Sequence, residues 1–146
     1  HFDRKTGAAV GIYSGLVEDL THKYVRPQEN GNRTDVRWAA LTDKSENGIF
    51  ISDIGGSYLN ISAWPYSMED LETAEHIHEL PKRDFITVNI DYKQKGVGGS
   101  LFGIRDILKK YRLTRNKEYS YTFLLRPYTK ELGDLTSIYQ NSNQNI

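Results

Sequence analysis

The sequence predicts an all-β fold, an antiparallel β-sandwich of at least seven strands with one short helix. Three observations carry that expectation. Apolar and polar residues alternate with period two in several short runs, as they do on half-buried strands. Turn-forming residues recur between those runs, which suits a sandwich or barrel better than helices alternating with strands. The chain also holds ten Tyr, five Phe and two Trp, side chains that suit a pleated surface.

In chain order, Gly7 to Tyr13 reads as a short strand with Ala8, Val10 and Ile12 on one face. Leu16 to Tyr24 fits either a helical turn or an irregular connection. Arg26 to Trp38 is the most distinctive stretch. Pro27 fixes φ and extends Arg26, and Asn30-Gly31 tolerates φ > 0. Thr34, Val36 and Trp38 then alternate with Asp35 and Arg37 in a strand running to about Leu41. Asp43 to Gly48 reads as a hairpin loop ending in an Asn-Gly signal. Ile49–Ile54 returns, Gly55-Gly56-Ser57 turns, and Tyr58 to Trp64 follows with Leu59, Ile61 and Ala63 opposite Asn60 and Ser62. Ser67 is a candidate N-cap, Glu69 and Asp70 suit the positive end of a helix dipole, and Met68, Leu71 and Ala74 share a helical face, which places the short helix. Phe85 to Tyr92 and Tyr119 to Leu125 alternate as strands, the second with Tyr119, Tyr121, Phe123 and Leu125 on one face. Asn141 to Ile146 reads as a frayed polar tail.

At 146 residues the chain is one domain or most of one. Lys+Arg and Asp+Glu are 19 each, so no basic excess marks nucleic acid or an anionic membrane as the main partner. No apolar run approaches the roughly 20 residues that span a bilayer. Cysteine is absent, which removes disulfides and thiolate chemistry and leaves cytoplasm and periplasm both open. The chain begins at His1 without an initiator Met or a signal-peptide pattern, and reads as a piece of something longer.

Two motifs invite chemistry. His76 and His78 form an H-x-H pair, which on a strand would aim both imidazoles one way as metal ligands. No third ligand is marked by spacing and the preceding residues look helical, so they read as surface or satisfied histidines. Gly96-Val97-Gly98-Gly99 lacks the Lys-Ser/Thr of a phosphate loop and opens no Rossmann unit, so it reads as a tight β excursion whose bare backbone suits a binding rim.

Five blocks stand in order along the chain: Asp3-Arg4-Lys5-Thr6-Gly7-Ala8; Tyr24 to Trp38 with Arg-Pro-Gln-Glu-Asn-Gly-Asn at its centre; Ala74 to Pro81 with Glu-Leu-Pro at its end; Asn89-Ile90-Asp91 with Gln94 to Gly99; and Lys110-Tyr111-Arg112-Leu113. In these blocks the chain resembles the C-terminal domain of family-two β-galactosidases, over residues 3 to 126. The resemblance implies the later part of a galactose-mutarotase-like supersandwich, with the domain over 1–128 and a polar tail over 129–146. It also implies that the earlier strands and the central (β/α)₈ barrel, with both catalytic glutamates, lie elsewhere. By the same resemblance this chain has no catalytic residue, metal or cofactor. Its substrate-binding residues are Phe102, Gly99 and Ser100, on the glycine loop. Many members follow the Gly-Val-Gly-Gly run with an acid and then Trp-Gly, the Trp lining the galactose site. Here the run continues Ser100-Leu101-Phe102-Gly103, with no acid and Phe102 at the Trp position.

A glycosidase needs two carboxyl groups about 5–9.5 Å apart across the scissile bond. With 19 acids, number alone selects none; Glu29, Glu79 and Asp91 stand in distinctive contexts and read as ion-pair or turn acids. Three readings follow. The chain is a non-catalytic β-galactosidase fragment that buttresses the barrel and lends a loop to the galactoside pocket. Alternatively it is a stand-alone carbohydrate-binding module, or a mutarotase-like isomerase with His76 or His78 as acid and Glu79 as base. The first gives the other domains of the parent enzyme and its galactoside as partners. Self-association through unpaired strand edges stays open.

Overall fold

In the computed structural model, which describes residues 10–96 and 107–144, the alternating run after Asn30-Gly31 is broken at Arg37. It forms two strands, β1 (Arg33–Val36) and β2 (Trp38–Thr42). Asp35 takes φ +56°, a left-handed step that breaks the pleat just before β1 ends. The two strands then enter different sheets. With β3 (Gly48–Ile54), β4 (Leu59–Trp64), β5 (Thr87–Asp91) and β6 (Thr122–Tyr128), the sheets are β1-β4-β5 and β2-β3-β6. The all-β, antiparallel class expected from the sequence holds. The described residues contain six strands; residues 10–13 of the expected first strand are irregular.

The chain divides into two compact units, one of residues up to Val36 with Asn60–Ile90, the other of Arg37–Leu59 with the residues from Asp91 on. In the first unit β4 is the central strand and is buried almost throughout. Its polar positions do not face solvent as alternation suggested: Asn60 and Ser62 are buried. A central strand covered on both faces has no solvent side, so its polar groups need partners. Asn60 Oδ1 accepts from Asn32 Nδ2 at 3.3 Å, and Ser62 Oγ accepts from Asn89 Nδ2 of β5 at 3.1 Å.

The expected helix is α1 (Met68–Thr73). Ser67 Oγ accepts the Asp70 N–H at 3.0 Å and Asp70 Oδ2 accepts the Ser67 N–H at 2.8 Å, a reciprocal capping box. Arg83 donates to both oxygens of Asp70, at 2.6 and 3.0 Å. That guanidinium first, and the Ser67 N–H second, hold the Asp70 carboxyl well below the usual carboxylate range. Leu71 and Ala74 are buried as the helical face requires, while Met68 at the first turn is exposed.

In the second unit β3 lies between β2 and β6, with Ala40 opposite Phe50 and Leu125 opposite Ile51. The β2–β3 hairpin does not turn on Asn47-Gly48. Asp43 Oδ1 accepts the N–H groups of Ser45 (2.8 Å) and Asn47 (3.0 Å), and Glu46 takes the left-handed conformation at φ +62°. Gly48 is instead a strand residue paired with Thr42, where a Cβ would sit 1.9 Å from the Leu41 carbonyl oxygen. Close backbone approach, not turn geometry, demands glycine there. Pro127 is accommodated because β6 is the terminal strand of its sheet.

The stretch expected to be a polar tail carries a second helix, α2 (Leu135–Gln144). Asp134 caps it, its Oδ2 accepting the Ser137 N–H at 2.9 Å. Leu135, Ile138 and Tyr139, at positions i, i+3 and i+4, pack onto a core of Phe50 and Tyr128, with Trp38 and Ala40 beside them.

Candidate functional site

The signature turn is built to hold its own backbone. Asn30 Oδ1 accepts the His22 N–H at 2.7 Å, and its Nδ2 donates to the Gln28 carbonyl at 2.9 Å. The Asn30 carbonyl accepts Nε1–H of buried Trp64 at 2.7 Å. Gly31 stands at φ +69°, where a Cβ would lie 2.7 Å from the Leu20 carbonyl oxygen. The Arg33 guanidinium donates to the carbonyls of Gly31 and Leu20, and Pro27 is buried. Arg37 lies over the Tyr58 ring, 4.7 Å from its centre. Glu29 is exposed.

Beside this turn is a shallow depression, open to solvent, with His22, Tyr24, Gln28, Asn30, Tyr66 and Leu71 among its walls. Its described lining includes no carboxylate, so it cannot supply the acid pair that glycoside hydrolysis needs.

His76, His78 and Glu79 do come together. Glu79 forms part of a 3₁₀ turn over Ile77–Glu79, and its Oε1 lies 3.1 Å from His76 Nδ1. Its Oε2 accepts the N–H groups of Glu75 (2.8 Å) and His76 (3.3 Å). The Glu75 N–H first, and the His76 side chain second, pull the Glu79 carboxyl below its usual value. A carboxylate committed to closing its own turn and kept ionised is a poor general base. The two imidazoles stack with centres 5.5 Å apart. Among the described residues no group of three or more metal-ligating side chains is positioned to hold an ion.

Gly99, Ser100 and Phe102 lie outside the described residues. The segments flanking their loop are drawn together. Gly96 N–H donates to the Tyr111 carbonyl at 2.9 Å, and Arg112 Nε donates to the Ile107 carbonyl at 2.6 Å. A 3₁₀ turn over Lys109–Tyr111 completes this neck. Asp91 is bonded to Gln94 Nε2 at 3.4 Å, at the start of the same excursion.

Sequence reasoning missed the ring cluster next to that neck. Tyr92 lies 6.3 Å from Tyr119 and 5.7 Å from Tyr121, and Tyr121 lies 5.9 Å from Phe123, all between ring centres. The Tyr119 hydroxyl accepts the Thr114 N–H at 2.8 Å, and its bond with the Thr114 side chain lowers its pKa. Alternation placed Tyr119, Tyr121, Phe123 and Leu125 on one face; the structure leaves all four substantially exposed.

The chain matches the model of the β-galactosidase small chain over residues 1–125. Among curated relatives it is 42% identical over 127 residues to a β-galactosidase of Priestia megaterium, covering 87% of this chain and 12% of that protein. It is 35% identical over 121 residues to a β-galactosidase of Halalkalibacterium halodurans, covering 83% and 12%. To β-galactosidase BgaC of Bifidobacterium adolescentis it is 34% identical over 120 residues, covering 82% and 11%. The chain thus spans only about 12% of the length of the relatives it matches. A family match across most of the chain, joined to these identities, means that the chain belongs to the β-galactosidase small-chain family.

Proposed function

We propose that the chain is a non-catalytic part of a β-galactosidase that removes terminal, non-reducing β-D-galactose residues. The carrying observation is the small-chain match over residues 1–125. The small share of each relative that it covers supports placing the catalytic glutamates on a barrel elsewhere in the parent polypeptide. On this reading the sheets are the later part of a larger sandwich that buttresses the barrel. The loop holding Gly99, Ser100 and Phe102 reaches the sugar pocket, where the Phe102 ring covers the apolar face of galactose. The neck formed by Gly96, Ile107 and Tyr111 supports this, because anchored flanks let a loop project a side chain without disturbing the sheet.

The test is hydrolysis of a chromogenic β-galactoside by the full parent polypeptide and by this chain alone. The parent should turn over and the chain should not; turnover by the chain that is lost on mutating one of its own carboxylates refutes the reading. In the parent, Phe102→Ala should raise KM about tenfold, ~1.4 kcal/mol of lost substrate binding, with a smaller change in kcat. An unchanged KM removes Phe102 from the pocket. Calorimetric affinity of the chain for galactose, or accelerated anomer interconversion, would favour the binding-module or isomerase reading instead.

A further inference from the structure

The formal charge of the whole chain is zero, but the charge is unevenly spread. Between Ile107 and Arg126 stand Lys109, Lys110, Arg112, Arg115, Lys117 and Arg126 against one acid, Glu118. The same run presents apolar surface: Tyr111 is 48% exposed, Phe123 37% and Leu125 55%. At three positions a cation lies over a ring. The Lys110 ammonium lies 4.6 Å from the ring centre of Tyr111, Lys117 lies 5.7 Å from that of Tyr119, and Lys93 lies 4.8 Å from that of Tyr92. Tyr92 in turn touches Tyr121, and Tyr121 touches Phe123. The linked rings of Tyr92, Tyr119, Tyr121 and Phe123, with Lys93 and Lys117 over two of them and the Lys110–Tyr111 pair on the same run, mark an interaction face more often than a solvated one.

We propose that this basic, aromatic face seats an acidic, partly apolar segment of the parent polypeptide outside the present chain. Charge complementarity selects the acidity. The exposed Tyr121, Phe123 and Leu125 select the apolar component. A segment of the same polypeptide is at hand, since the relatives are many times longer than the matched region. Single-stranded nucleic acid, the other ligand of basic aromatic surfaces, needs open ring faces for its bases. Here lysines already cover a face of Tyr92, Tyr111 and Tyr119, so an incoming carboxylate meets an ammonium held over a ring. The face remains hidden in whole-chain charge because acids elsewhere cancel it.

The proposal rests on the chain being one piece of a longer β-galactosidase polypeptide, and its test is independent of hydrolysis. The full-length parent is treated with a water-soluble carbodiimide, which joins lysine amines to carboxylates already in contact, and the products are mapped by mass spectrometry. Lys109, Lys110 or Lys117 should be coupled to Asp or Glu residues outside this chain. Acetylation of those lysines should be about tenfold slower in the parent than in the 146-residue chain, while exposed Lys44 in the hairpin loop reacts equally in both. Exchanging Lys110 and Lys117 for Glu should remove their couplings and weaken any at Lys109. Equal acetylation rates, couplings confined to this chain, or binding of a short oligonucleotide at physiological salt would each overturn the proposal. A parent that hydrolyses no galactoside would refute the functional reading and leave the coupling result to be read separately.

Discussion

Replacing Gly31 by Ala tests whether the signature turn is a structural device. Two costs are expected. The first is torsional: φ is +69°, a left-handed conformation that costs an L-residue about 1–2 kcal/mol. The second is steric. The new Cβ would lie 2.7 Å from the Leu20 carbonyl oxygen, a backbone atom that Arg33 also contacts, so relief requires moving main chain. Gly56 isolates the first cost, because it has φ +76° and nothing within 4 Å of a built Cβ. Gly56→Ala should therefore cost about 1 kcal/mol and Gly31→Ala about 3 kcal/mol. For a chain of this size each kcal/mol lowers Tm by roughly 2–4 °C, so the drops should be about 3 °C and about 9 °C. Urea denaturation followed by circular dichroism, with thermal melts alongside, measures both. If Gly31→Ala fell within about 0.5 kcal/mol of Gly56→Ala, the close approach to Leu20 would be of no consequence and the reasoning would fail.

Trp64→Phe should destabilise by about 2 kcal/mol, because it leaves the Asn30 carbonyl without its indole donor; an unchanged urea midpoint would refute this. Ile138→Ala should cost about 2–4 kcal/mol, since α2 docks through that side chain, whereas a frayed tail would lose almost nothing. The depressed pKa of Asp70 fixes the sign of an acid effect. Its contribution is fully present above the ordinary value of 3.8 and is lost as pH falls below it toward the folded-state value. Tm of the wild type should therefore drop more steeply below about pH 3.8 than Tm of Asp70→Asn, which should be the less stable protein at neutral pH; parallel profiles would show that the Arg83 pair contributes nothing.

Strand identity was legible in the residues because period-two alternation reflects local geometry, and Leu59–Trp64 and Thr87–Asp91 fall where alternation put them. The capping box at Ser67 was likewise readable, since Ser67 and Asp70 satisfy each other's backbone within one turn. The candidate sugar loop was marked by its glycines and by resemblance, while Gly99, Ser100 and Phe102 lie outside the described residues. Tertiary structure decided what depends on distant neighbours. It split the Arg33–Leu41 run between two sheets, left Asn60 and Ser62 buried against Asn32 and Asn89, and made glycine at 48 a matter of the Leu41 carbonyl. It also turned Leu135, Ile138 and Tyr139 from a polar tail into a docked helix face. Alternation records which residues share a side of a strand, but burial is a property of both sides and of whatever covers them. For that reason the sequence determined the central strands, the helix cap and the family. The folded chain left residues 10–13 irregular, moved the last strand to Thr122–Tyr128, and determined which polar groups need partners and which aromatic rings remain outside.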